Sequence, residues 1–391
     1  MPFIRLKLLF TLFYILMILL VSFLSGIDTW EMLFYIMGIH LLTSYFIFIR
    51  SIITAQQLFT ADAWFSVIDK ILLIILAGSF IYWPGIFGSI SIEKFLLAQL
   101  LSTFIAVLIA AGFLYSKSTM GAKASLNTIA LIRSILPFAM IILLMGIHSR
   151  ADAFILERIH VQGAYQAGVY ALGFRLLDAA NMVGYLAASF LVPFIARNRD
   201  DQALIEKTVI STRHVLVLMA MIIASFGLIF SSWIQQQLYH SDFSFHSDVI
   251  RYCLATLPAY FLIHIYGSLL TATARFRPFI IIMVFAVILN LVLNFILIPS
   301  YGALGSCISA LVTQYCAGLS CFFVASGKLK IPFYKRSLTL YLLVFLVFTG
   351  LFYISRVAII NVWLILAFTV LFTLVFLLTQ VKYFKQQFVS R

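Results

Sequence analysis

The stretch Leu338–Ile354 reads LTLYLLVFLVFTGLFYI. It carries no charge and shows no alternation of apolar with polar positions. A strand crossing a membrane in a barrel alternates with period two. A helix crossing one needs about 20 predominantly apolar residues in a row. Helices and closed barrels alone satisfy every backbone group in hydrocarbon, so this stretch predicts a membrane-spanning helix. Runs like it recur along the chain. Of the 391 residues, 64% are hydrophobic and 10% charged. A soluble domain this apolar could not cover itself with polar atoms, so lipid is the outer solvent.

Twelve spans are predicted, giving an all-α polytopic membrane protein: Leu6–Ser25, Glu31–Arg50, Trp64–Trp83, Glu93–Tyr115, Ser134–Glu157, Gly168–Ala196, Val215–Trp233, Val249–Thr273, Phe279–Leu297, Ala303–Ser326, Leu338–Ser355 and Val362–Lys382. The net charge of +13 sits mostly in short loops and sets orientation. With a cytoplasmic N-terminus, nineteen of the 26 Lys and Arg fall inside, Arg213 among them. Four fall outside (Lys94, Arg158, Arg251, Arg356), and three lie within spans (Lys70, Arg150, Arg175). Both termini are therefore expected in the cytoplasm, in a bacterial inner membrane. The first run, Leu8–Leu24, lacks an Ala-x-Ala-like cleavage site and is read as a retained helix.

The organisation expected is a four-helix amino-terminal lobe over 1–116 and a cytoplasmic amphipathic connector over 117–133. A six-helix lobe over 134–326 and two further helices over 327–391 follow. The longest outside loop is expected at Ile234–Asp248. Neither loop could fold a domain. An internal echo links Thr54-Ala55 and Phe59 to Thr271-Ala272 and Phe276, as parallel lobes would produce.

Ionisable groups inside a bilayer are costly and mark bundle interiors or wet cavities. The densest group is His148, Arg150, Asp152, Arg175 and Asp178. Arg175 and Asp178 share a helix face. Arg150 and Asp152 diverge by about 200° and cannot easily bond each other, so one of them is expected to partner Asp178 or Arg175. Arginine suits a cavity for an anionic head group, because its planar fork grips phosphate. The competing reading is ion pairing that fixes helix packing. Arg251 is placed at the outer end of its helix, facing a vestibule. His264 is either a proton relay or a satisfied interior histidine, and Lys70 snorkels to the interface. Asn290 and Asn294 share one face, where interhelical hydrogen bonding is the default. Pro137, Pro193, Pro258 and Pro299 mark span ends or kinks.

Enzyme signals are missing. There is no Walker-type glycine loop, no helical His-Glu-x-x-His and no carboxylate-rich aqueous loop. Cys253, Cys307, Cys316 and Cys321 lie in apolar runs without metal-ligand spacing and read as packing residues. No cofactor and no metal ligand set are expected.

Two stretches carry a resemblance. Arg133–Arg197 contains Pro137, then Arg150 with Asp152, then Gly168, Tyr170, Arg175 and Leu176. From Asn290, the run NLVLNFILIPSYGALGSCISALVTQ holds Asn290, Asn294, Ile298, Pro299, Gly302 and Gly305. These resemble the seventh and eighth helices, and the eleventh-to-twelfth junction, of Wzx-type oligosaccharide flippases in the multidrug/oligosaccharidyl-lipid/polysaccharide exporter (MOP) superfamily. The resemblance implies a two-lobed bundle around a central cavity. It implies alternating access for undecaprenyl-diphosphate-linked repeat units, with Arg150 and Arg175 toward the diphosphate. Four spans precede Arg133 where that family has six, so an incomplete amino-terminal lobe is expected. The substrate-binding residues expected are Arg150, Arg175, His148, Arg251, Asn290 and Asn294. Asp152, Asp178 and His264 are expected to couple to a H⁺ or Na⁺ gradient if the cycle is coupled. Lipid-linked oligosaccharide, glycosyltransferases and a polysaccharide polymerase are the partners expected, and nucleic acid is not. A cation-coupled multidrug exporter and a membrane-embedded polymerase or ligase are the alternatives.

Overall fold

The computed structural model describes residues 2–24, 29–56, 58–83, 85, 91–117, 128–240, 243–329, 331, 335–373 and 375. Among them the regular structure is helical and no strand is present. The helices are α1 (Pro2–Leu24), α2 (Trp30–Ala55), α3 (Phe59–Tyr82), α4 (Ile92–Lys117), α5 (Thr128–Ile159), α6 (Gly163–Arg197), α7 (Gln202–Tyr239), α8 (Ser244–Ala255), α9 (Leu257–Ala272), α10 (Phe276–Tyr301), α11 (Ala303–Leu329), α12 (Lys335–Val357) and α13 (Val362–Thr373). Eleven stretches among the described residues are long and apolar enough to cross a membrane, α8 and α9 together making one of them. The chain is thus a multi-pass membrane protein. The expected twelfth span is described only as α13; the remainder of Val362–Lys382 lies outside the described residues, as does most of the expected connector over 117–133.

Three boundaries differ from the sequence reading, each for a local reason. Helix α5 begins at Thr128 rather than Ser134. Helix α7 begins thirteen residues before the expected Val215, because Asp201 caps it by accepting the Leu204 N–H at 2.9 Å. Helix α7 also continues past Trp233 to Tyr239, where His240 in the left-handed region caps it and its N–H donates to Gln236 O. The expected outer loop Ile234–Asp248 therefore shrinks to residues 240–243. At about 57 Å, α7 is far longer than a hydrocarbon core of about 30 Å, and its ends are polar, with Glu206 and Lys207 near the start and Gln235, Gln236 and Gln237 near the finish. Arg213, expected in a cytoplasmic loop, lies inside α7 and is 2% exposed.

The chain divides into two compact units, Met1–Leu131 and Ile132–Arg391. In the first, α2 and α3 pack on α4 around Phe46, Ile53, Phe65, Ala106 and Ala110. Small alanines on α4 let the larger neighbours close on it. A bidentate pair, Arg50 Nε to Asp62 Oδ1 at 2.7 Å and Nη2 to Oδ2 at 3.2 Å, bridges the end of α2 to the start of α3.

In the second unit α9 is the hub: Tyr266, Phe261, Leu257, Ile265, Leu269 and Leu270 are all fully buried. Pro258 explains why this span is two helices. Its ring and missing N–H break the ladder, and Thr256 joins α8 to α9. The freed carbonyl of Ala255 accepts instead from the Tyr315 hydroxyl at 3.1 Å. The α10–α11 corner depends on Gly302, whose φ is 55°. A side chain is strained there, and its Cβ would fall 2.5 Å from Gln166 Oε1. That same oxygen accepts the Ala303 N–H at 2.9 Å. Ala55 ends α2 and Ala272 ends α9, while Phe59 opens α3 and Phe276 opens α10. Each copy of the sequence echo thus falls at a junction between consecutive helices.

Candidate substrate-facing site

Helix α5 places His148, Arg150 and Asp152 within one turn and a half. Residues four apart share a face and residues two apart oppose it. His148 and Asp152 accordingly point inward, 3% and 1% exposed, while Arg150 stays exposed.

The inward pair ties α5 to three helices. His148 Nε2 lies 3.0 Å from Thr313 Oγ1 on α11. Asp152 Oδ2 accepts from the Tyr170 hydroxyl on α6 at 3.0 Å. Asp152 Oδ1 accepts from Asn294 Nδ2 on α10 at 2.6 Å, and Asn294 Nδ2 also donates to Asn290 Oδ1 at 3.1 Å. Asn290 Nδ2 and Asn294 Oδ1 are buried without a partner. Asn294 thus makes the interhelical bond that the spacing predicts, whereas Asn290 bonds to Asn294 on its own helix, and both lie at 1% exposure or less.

The outward arginine takes Asp178 of α6 as its partner, Nη2 to Oδ2 at 3.1 Å, and its guanidinium stands 5.1 Å over the Phe174 ring. Arg150 nonetheless keeps 64% of its side chain exposed, and Asp178 keeps 39%. Arg175 is exposed on the same helix. Beside them lies a cavity of about 300 Å³ lined by His148, Arg150, Tyr185, Tyr260, His264 and Gln314, among others. His264 is buried, with Nε2 3.1 Å from Asn181 Oδ1 and its ring 4.5 Å from that of Tyr185. Gln314 Oε1 is buried and unpartnered.

Arg251 is not part of this group. It is half-buried and pairs with Asp248 at 2.6 Å, while also donating to Leu228 O and Ser231 Oγ. Lys70 pairs with Asp69 at 3.0 Å in the other unit. Asn181, Tyr185, Thr313 and Gln314 were not singled out from sequence. Each meets a partner or cavity wall more than 75 residues away in the chain, and no local spacing announces them.

Close packing of α6 on α9 supports the cavity. A Cβ at Gly184 would lie 2.6 Å from His264 Cδ2 and 2.8 Å from Phe261 Cδ1. Gly184→Val should therefore push the helices apart at a cost of roughly 1–3 kcal/mol. Thermal unfolding in detergent, followed by a maleimide dye reacting with the buried thiols Cys253 and Cys321, measures it. An unchanged midpoint would show that the contact is slack.

No protein-family model and no curated protein matches the sequence. Solved structures do match by shape. A multidrug resistance MATE family transporter of the MOP superfamily, in an outward-facing conformation, superposes with a TM-score of 0.67 at 16% identity, over 83% of this chain and 76% of that one. A variant of the Vibrio cholerae MATE transporter VcmN gives 0.65 at 17% identity over 83% and 76%. The lipid II flippase MurJ, in an inward closed conformation, gives 0.62 at 15% identity over 98% and 83%. At these identities the likeness is one of fold, and the fold of this chain is that of the MOP-superfamily transporter structures.

Proposed function

We propose that this protein is a transporter of the flippase type, moving a lipid-linked oligosaccharide with a diphosphate head from the inner to the outer leaflet of a bacterial inner membrane by alternating access. One observation carries the reading: Arg150 and Arg175 are exposed on a membrane-spanning unit, and Arg150 is oriented by Asp178 and Phe174 without being covered. An arginine facing acyl chains at that depth is costly, so this face belongs to water and a polar cargo. A guanidinium fork holds phosphate oxygens in pairs and keeps its charge. That MurJ, a lipid II flippase, shares the fold supports a lipid-borne cargo.

Drug export is the weaker reading. Asp62, Asp69 and Asp178 are each engaged by a cation, and exposed arginines repel cationic drugs. A polymerase or ligase would need a large outer loop rich in Arg and His, and the break between α7 and α8 spans only 240–243.

Coupling, on this reading, rests on Asp152 rather than on Asp178 or His264. Its carboxylate is 1% exposed and is held by the Tyr170 hydroxyl and the Asn294 amide rather than by a cationic side chain. Transport into vesicles should respond to ΔNa⁺ or ΔpH; indifference to both overturns coupling. Glycosyltransferases and a polymerase would act before and after the step.

Deleting the gene in a host without paralogues should trap lipid-linked repeat units on the cytoplasmic leaflet and abolish the surface glycan. Normal surface polysaccharide in that strain overturns the assignment.

A further inference from the structure

The buried arginine that the transport reading does not use is Arg213. It is 2% exposed. Its Nη1 donates to the Tyr266 hydroxyl at 3.1 Å and the Tyr341 hydroxyl also lies against the guanidinium, while Nε and Nη2 are buried with no hydrogen bond of good geometry. It lines a cavity of about 430 Å³ bounded by α7, α9, α11 and α12. No carboxylate lines that cavity, so nothing described there neutralises the guanidinium. Burying a cation without a counter-charge costs several kcal/mol, and an anion in the cavity would offset that cost.

The remaining wall is apolar. It runs along α7 from Arg213 through Val217, Met221 and Ala224 to Leu228, about 22 Å by helix rise. Leu319 and Phe323 on α11, and Leu338 and Leu342 on α12, line it and are also exposed. The slot therefore opens sideways between α11 and α12, on a surface that faces lipid. Depth agrees with this. Trp233 and Trp363 stack edge to face at 5.0 Å, and paired tryptophans mark a membrane interface. Arg213 lies twenty residues from Trp233 on the same helix, about 30 Å, which is one hydrocarbon thickness. With Trp233 at one interface, that spacing would put Arg213 near the phosphates of the opposite leaflet.

We propose that this slot binds an anionic bilayer phospholipid, its phosphate against the Arg213 guanidinium and one acyl chain along Val217–Leu228. The site is separate from the α5–α6 face and does not depend on what the protein transports.

The test uses the full-length protein in detergent, with unfolding followed by thiol labelling during titration with phosphatidylglycerol, phosphatidylcholine or inorganic phosphate. Phosphatidylglycerol should raise the midpoint of the native protein. Arg213→Gln should weaken that response at least tenfold in apparent affinity. Ala224→Phe, which fills the slot and leaves the arginine in place, should do the same, and it carries the test alone if Arg213→Gln fails to fold. An equal response from phosphatidylcholine overturns the role of charge. An equal response from inorganic phosphate overturns the lipid. A response in Ala224→Phe as large as in the native protein overturns the slot.

Discussion

Asp152→Ala should lower stability by about 2–5 kcal/mol, because it strands two donors in a dry place. Tyr170 Oη and Asn294 Nδ2 both point at this carboxylate. Alanine offers no acceptor, so both donors lose the partner they have in the native protein. Helix α5 also makes few close backbone approaches to its neighbours, so side chains carry much of its attachment. The fall in unfolding midpoint should be roughly 5–15 °C, read by thiol labelling in detergent. Asp152→Asn keeps one acceptor oxygen and should lose less than half as much. Equal midpoints for the alanine variant and the native protein would mean that the network contributes nothing net.

Transport should fall about a hundredfold in the double variant Arg150→Gln and Arg175→Gln. Each charge-assisted hydrogen bond to a phosphate is worth about 1.5–3 kcal/mol, and 1.4 kcal/mol is a factor of ten. Glutamine keeps the length and polarity of the side chain, so the loss reports charge rather than packing. Lys70→Gln is the control, since that lysine is already paired with Asp69 in the other unit. The readout is flipping of a lipid-linked glycan in proteoliposomes, alongside the unfolding midpoint. A double variant that transports at the native rate removes the arginines from the cargo path.

The apolar runs gave away the helices because lipid enforces them one segment at a time. The site was legible where it depends on a single helix. The divergence of Arg150 from Asp152 follows from helix geometry, and Arg150 indeed finds Asp178 on the neighbouring helix. Pro258 likewise announced a break that the structure places between Ala255 and Leu257. Hydropathy failed where a helix leaves the bilayer. Glu206, Lys207 and Arg213 made the start of α7 read as a loop, although Ile205, Val209 and Val217 repeat at intervals that put Arg213 on their buried face. That spacing was the available signal. Its partner Tyr266 lies 53 residues on, and no local pattern names it.

Helix α5 hangs from α6, α10 and α11 by directional bonds gathered between His148 and Asp152, whereas its contacts above and below are greasy. Greasy contacts slide and short hydrogen bonds do not. In an alternating-access cycle that level would serve as a fulcrum. When the helix tilts, its two ends swing in opposite senses while Arg150, fixed at the pivot, hardly travels.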